Sequence, residues 1–136
     1  MGLNEREIWF NMKKNTLEKQ VVYKLSDVIT IFRNMIIENG TDNLLDDMDL
    51  CVYTVDFVEK ASSDMICYLD DYPDVDDNDQ EIYTDFITEN NLIMFYSGEQ
   101  FEDVISNTLS QKLDATIEEF IFALNHYRDN DDFADI

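Results

Sequence analysis

Negative charge constrains this chain of 136 residues more than any other feature of its sequence. The formal net charge is −22, from 31 acidic and nine basic residues. Residues 1–33 hold six of the basic residues and have a net charge of +2, so residues 34–136 have a net charge of −24. No basic residue lies between Lys60 and Lys112. Mutual repulsion among so many carboxylates lowers stability, so a function or a need for solubility must maintain the excess.

The same charge limits the classes of partner. Nucleic acid and anionic membrane are repelled at long range, whereas a cation or a basic protein is attracted. No apolar run approaches the length of a membrane span, and the N-terminus lacks the order of a secretory signal. Cys51 and Cys67 lie in apolar runs without metal or redox spacing, which indicates reduced core residues in a cytoplasmic protein.

Composition and periodicity predict one α+β domain over residues 1–136. Hydrophobic residues make up 45% of the chain, enough for a real core. We expect strands at residues 50–58, 65–69 and 91–96, the first two forming a hairpin and the third buried on both faces. They form a small, antiparallel sheet packed against several helices. Residues 1–25 are expected to form a loosely attached, partly helical segment.

Helix boundaries follow from capping residues. Ser26 is expected to cap a helix through residue 39, and a short helix is expected at residues 80–90. Ser97 with Gln100, and Thr116 with Glu119, have the spacing of two capping boxes. These boxes predict two further helices whose apolar residues recur at helical spacing.

The stretch YLDDYPDVDDNDQE at residues 68–81 contains six aspartates and one glutamate. A calcium loop of the helix-loop-helix type would place ligands at positions 1, 3, 5, 7, 9 and 12 with glycine at position 6. From Asp74 these positions are Asp74, Asp76, Asn78, Gln80, Ile82 and Asp85. Position 6 is Asp79 and a strand precedes the loop where a helix is needed. The fit is poor, so we expect no specific metal site.

Catalytic signals are weak. The single histidine, His126, lies in a predicted helix, and neither cysteine has a context that would activate its thiolate. Phosphate loops and hydrolase motifs are missing from the sequence. We therefore expect a protein that is not an enzyme and has no cofactor.

A contact surface for a protein partner is the favoured interpretation of the acidic stretch, because tyrosine among charged residues is a common interface anchor. Tyr72, beside Pro73 in a turn, is expected to be exposed and to serve as that anchor. The predicted partner-binding residues are Asp70, Asp71, Tyr72, Asp74, Asp76, Asp77, Asp79 and Glu81.

Residues 50–133 resemble the small acidic bacterial immunity proteins of polymorphic toxin and contact-dependent growth inhibition systems. The resemblance rests on EQFEDVISN (99–107), QKLDATIEE (111–119) and YRDNDDF (127–133), which follow the acidic turn. These motifs have a structural character, so no active-site residue is implied. The resemblance implies a cytoplasmic inhibitor that occupies the basic cleft of a cognate toxin domain, such as a nuclease.

Two other functions remain open at this point. One is a nucleic-acid mimic that blocks a DNA-binding protein, and the other is a calcium-binding module. Neither the toxin nor the oligomeric state follows from the sequence. Charge alone further predicts that stability rises as pH falls from 7 towards about 5, because neighbouring carboxylates raise one another's pKa values in the folded state.

Overall fold

A computed structural model describes residues 17–39, 50–55 and 58–136 of the chain. These residues form an α+β fold, which confirms the predicted class. The described strands are β1 (Val22–Lys24), β2 (Leu50–Val55), β3 (Ile66–Asp71), β4 (Asp74–Val75), β5 (Glu81–Ile82) and β6 (Leu92–Tyr96). The described helices are α1 (Leu25–Asn39), α2 (Asp85–Glu89), α3 (Gly98–Gln111) and α4 (Ile117–Asn130).

The main sheet has four strands in the order β1-β3-β2-β6, and every neighbouring pair is antiparallel. The predicted hairpin of β2 and β3 is confirmed, with Val52 opposite Leu69 and Tyr53 opposite Tyr68. Strands β4 and β5 form a separate two-stranded hairpin.

Side chains of β2 point alternately to opposite faces of the sheet, as expected for a strand. Cys51, Tyr53 and Val55 share one face, as predicted, while Val52 packs in the core on the other. Phe57, which was assigned to the same face, lies outside the described residues. Cys51 and Cys67 are both buried, and neither forms a disulfide.

Helices α1, α3 and α4 cover the Val52 face and supply most of the core. The predicted apolar face of α1 is confirmed, since Val28, Ile31 and Phe32 are buried there. In α3, Phe101, Val104 and Ile105 are likewise buried. Tyr96 of β6 donates its hydroxyl hydrogen to the Leu124 carbonyl at 2.9 Å, which joins the sheet to α4.

Both predicted capping boxes are confirmed. The Ser97 side chain accepts from the Gln100 N–H while the Gln100 side chain accepts from the Ser97 N–H, and Thr116 and Glu119 make the same pair of bonds. Gly98 follows the first cap because any Cβ there would collide with the Leu50 carbonyl oxygen of β2. This close approach fixes the start of α3 against the first residue of β2.

Two local predictions were wrong. Ser26 lies inside the first turn of α1, and its N–H donates to the Ser63 carbonyl at 2.9 Å; a neighbouring loop therefore supplies the acceptor that an N-cap would have supplied. Residues 22–24 form β1, while the partly helical segment expected within residues 1–25 falls mostly on residues 1–16, which lie outside the described part. Strand β6 is an edge strand with Ile93 exposed, so it is not buried on both faces.

The predicted short helix is present only as Asp85–Glu89, since residues 81–82 form β5. Thr84 caps this helix by accepting from the Ile87 N–H. Within the described ranges, no helix is long and apolar enough to cross a membrane.

Candidate functional site

The acidic stretch forms the end of β3 and the small hairpin of β4 and β5. The hairpin turn is built by Asp76, whose side chain accepts from the N–H groups of Asn78 at 2.8 Å and Gln80 at 2.9 Å. Asp79 takes a left-handed conformation with φ 62°, which aspartate tolerates better than most residues. The carboxylate of Asp76 therefore stabilises the hairpin turn.

Asp70 is fully buried, although it was among the predicted contact residues. Its carboxylate accepts from the Thr84 hydroxyl at 2.6 Å, the Gln20 side-chain amide at 3.2 Å and the Asp71 N–H at 2.8 Å. Three donors replace much of the hydration that burial removes. Asp70 thus links β3 to the segment that follows the hairpin and cannot itself meet a partner.

Tyr72, the predicted anchor, is half-buried and not fully exposed. Its hydroxyl accepts from the N–H of Glu99 at 2.9 Å, at the start of α3. Its ring packs at the margin of a second hydrophobic cluster on the Cys51 face of the sheet, together with Tyr83. Tyr72 therefore connects the acidic stretch to the body of the fold.

The remaining predicted residues differ in exposure and pairing. Asp71 is half-exposed and forms an ion pair with Lys19 at 2.7 Å. Four acidic side chains of the hairpin are exposed: Asp74, Asp77, Asp79 and Glu81. Of these four, Glu81 accepts from the Tyr83 hydroxyl at 3.3 Å. The structure therefore brings most of the predicted surface together on one projecting hairpin.

Two exposed aliphatic side chains on this hairpin were not among the predicted contact residues. Val75 is 63% exposed and Ile82 is 52% exposed, and each lies opposite an acidic residue in the hairpin register. The signal was present in the sequence, since both apolar residues directly neighbour acidic ones. The surface is thus mixed, with apolar and charged groups side by side.

A groove of about 370 Å³ lies at the base of the hairpin. It is lined by Asp71, Tyr72, Pro73, Asp74, Ile82, Tyr83 and Thr84. Its residues come from the end of β3, from both hairpin strands and from the cap of α2. The groove therefore depends on how the hairpin is placed relative to the end of β3 and the cap of α2.

The calcium interpretation gains no support from this geometry. Asp79 does adopt the left-handed turn expected of position 6, but Ile82 lies in β5 and Asp85 begins α2. In the portion of the chain that the structure describes, no group of three or more His, Cys, Asp or Glu side chains could hold a metal ion.

The residues considered for catalysis lie apart from the groove. His126 is on α4, where its Nδ1 is 3.3 Å from the Asn130 side-chain nitrogen and its ring contacts Phe122. Burial raises the pKa of the Cys67 thiol far above its ordinary value, which opposes thiolate formation. Neither feature forms a nucleophile and base within bonding distance.

Comparison with known proteins gives one family and no individual relative. No curated protein and no solved structure shows significant similarity to the chain. The family model described as "Domain of unknown function (DUF7716)" matches residues 33–136, which include β2 to β6 and helices α2 to α4. Because this match covers well over half of the sequence, the chain belongs to the DUF7716 family.

Proposed function

We propose that this protein is a non-enzymatic immunity protein of the bacterial cytoplasm, which binds a basic toxin domain and blocks its cleft. A nuclease is the toxin class that fits best, because a cleft made for nucleic-acid phosphates is lined with lysine and arginine. A protein of opposite charge associates with such a cleft rapidly, since electrostatic attraction steers the encounter.

The observation that carries the proposal is the β4–β5 hairpin. It presents Asp74, Asp77, Asp79 and Glu81 to solvent beside the exposed side chains of Val75 and Ile82. Apolar groups surrounded by charge are suited to a protein interface, where the centre is desolvated and the rim stays polar. A hairpin that projects from a packed sheet can enter a cleft without rearrangement of the core.

The test begins with a partner captured from the source bacterium at low salt and identified by mass spectrometry. Expressed alone, the partner should arrest bacterial growth, and co-expression of this protein should restore it. A captured partner that is harmless to cells would overturn the proposal. A DNA-binding protein without toxicity would favour the nucleic-acid-mimic alternative.

Charge reversal then locates the contact. The hairpin variant changes Asp74, Asp77 and Glu81 to lysine, and leaves Asp76 intact because its carboxylate forms the turn. The matched control changes the exposed residues Asp114, Asp129 and Asp135 to lysine, which alters net charge equally.

We expect the hairpin variant to associate with the toxin about tenfold or more slowly at low salt and to lose protection. The control should have a much smaller effect. Equal slowing by both variants would mean that net charge, not the hairpin, governs binding.

A further inference from the structure

We infer that the groove at the base of the hairpin receives an arginine side chain of the protein partner. The inference deepens the proposed function, because it names the group that the acidic surface recognises. It rests on the shape of the groove, on its mixed lining and on a cation that the chain itself already places at the rim.

The size of the groove suits one long side chain. Its volume of about 370 Å³ is near the lower end of roughly 300–1,000 Å³ found for small-ligand pockets. A folded peptide segment would not fit, whereas a single extended side chain entering from the partner's surface would. The exposed side chain of Ile82 lines the groove and continues onto the outer face of the hairpin, so partner backbone can rest beside it.

The chemistry of the lining is selective for a cation with an apolar stem. Tyr72, Pro73 and Tyr83 supply aromatic and aliphatic surface, while Asp71 and Asp74 supply carboxylates. Arginine combines a planar cation that packs on aromatic rings with donors that match carboxylates. Lysine has a compact, strongly hydrated charge and uses such a surface less well.

The rim of the groove already binds a cation. The Lys19 ammonium lies 2.7 Å from Asp71 Oδ1, and both side chains are about half-exposed. Exposed ion pairs of this kind contribute little to stability and exchange readily. Lys19 therefore occupies one carboxylate of the groove loosely, and an arginine from a partner can take its place.

Charge complementarity favours a cation over every other occupant. The groove lies within the part of the sequence, between Lys60 and Lys112, that contains no basic residue. Buried Asp70 lies beneath it, bonded to Thr84 of the lining. An anionic group would be repelled by these carboxylates, which the single ammonium of Lys19 balances only in part.

The probe for the test is N-acetyl-L-arginine methylamide, with the neutral citrulline analogue as its control. Amide chemical shifts of the full chain are followed during titration with each compound at low salt. We expect saturable shifts that centre on residues 71–74 and 82–84 with the arginine probe and not with citrulline. Equal shifts with both compounds, or shifts spread evenly over residues 129–135 as well, would overturn the inference.

Variants sharpen the result in both directions. Asp74→Asn and Tyr83→Leu should each weaken binding of the arginine probe, Asp74→Asn by about two- to fivefold. Lys19→Gln should strengthen it, because Asp71 loses its competing cation. The control Asp114→Asn removes an exposed carboxylate far from the groove in sequence and should change nothing. If Lys19→Gln weakens binding, or Asp74→Asn has no effect, the groove is not the site.

This experiment does not depend on a toxin. If the protein binds its toxin but does not bind the arginine probe, the contact lies elsewhere on the chain. That result would reject the groove inference and leave the immunity function standing. Arginine binding with a harmless partner would retain the groove and reject the immunity function.

Discussion

The two faces of the main sheet are covered in different ways. Three helices of 14 or 15 residues, α1, α3 and α4, cover one face, where the core is continuous and includes the fully buried Phe120. The opposite face carries Cys51 and Tyr53, and this smaller face is covered by the five-residue helix α2 and by the rings of Tyr72 and Tyr83 on either side of the hairpin. Among the described residues, the buried members of its cluster are Cys51, Tyr53, Ile87 and Leu92.

Polar contacts also differ between the two faces. On the smaller face the Tyr53 hydroxyl donates to the Asp71 carbonyl at 2.7 Å. The Asp70 carboxylate accepts three hydrogen bonds there. Apolar burial is non-directional and scales with area, whereas hydrogen bonds fix particular positions. We therefore expect the helical face to supply most of the stability and the smaller face to position the acidic surface.

The largest expected effect on stability comes from truncating a buried side chain on the helical face. Phe120→Ala should lower the free energy of unfolding by about 3–5 kcal/mol, because the side chain is 0% exposed and leaves a cavity. Phe86→Ala, on the smaller face, removes a half-buried ring and should cost distinctly less. Urea unfolding measures both values.

The control for this pair lies on the same helix as Phe120. Phe122 is 56% exposed, so Phe122→Ala should change the free energy of unfolding by no more than about 0.5 kcal/mol. If Phe86→Ala costs as much as Phe120→Ala, the two faces contribute equally and the comparison fails.

An intermediate effect is expected from Asp70→Asn. An amide group would turn a donor towards groups that already donate to Asp70, leaving buried donors unsatisfied at a cost of about 1–3 kcal/mol. Hydrogen exchange should become faster mainly in residues 68–90, which include the end of β3, the hairpin and α2. The neighbour Asp71 is the control, because Asp71→Asn removes only an exposed ion pair and should hardly change stability. Uniform acceleration of exchange across α3 and α4 would show that the faces do not open separately.

The smallest expected effect tests the role of pH. Burial raises the pKa of Glu102 on α3, and the hydrogen bond and charge of Asp103 raise it further. Burial also raises the pKa of Asp27, against a lowering by Lys24. Folded forms with raised carboxyl pKa values bind more protons than unfolded forms, so stability increases as pH falls from 7 through those raised pKa values.

Glu102→Gln should therefore raise the Tm at pH 7, and the gain should shrink as the pH approaches the unfolded carboxyl value of about 4.3. Thermal melts of both proteins at pH 7, 6 and 5 measure this. Glu119 is the opposite case, because the Thr116 N–H and Lys112 lower its pKa, so its contribution is lost as pH falls through that lowered value. A Tm gain that grows on acidification would show that Glu102 is not destabilised by burial.

The sequence by itself determined those features whose causes lie within a few residues. The capping boxes that begin α3 and α4 need only a side chain and an N–H three positions away. The alternation of Cys51, Tyr53 and Val55 follows from the two-residue period of a strand. Apolar spacing in α1 likewise identified Val28, Ile31 and Phe32 as core residues.

Tertiary structure decided the features that depend on residues far apart in the chain. The order β1-β3-β2-β6 leaves β6 at an edge, which its continuous apolar run did not reveal. Ser26 does not cap α1, because the Ser63 carbonyl accepts from the Ser26 N–H inside the first turn. Asp70 and Asp71 are adjacent in an acidic run, yet their surroundings differ. Asp70 is buried and accepts from Gln20 and Thr84, whereas Asp71 pairs with Lys19 at the surface. Composition records the charge of a carboxylate, but only long-range packing decides whether its donors come from the protein or from solvent.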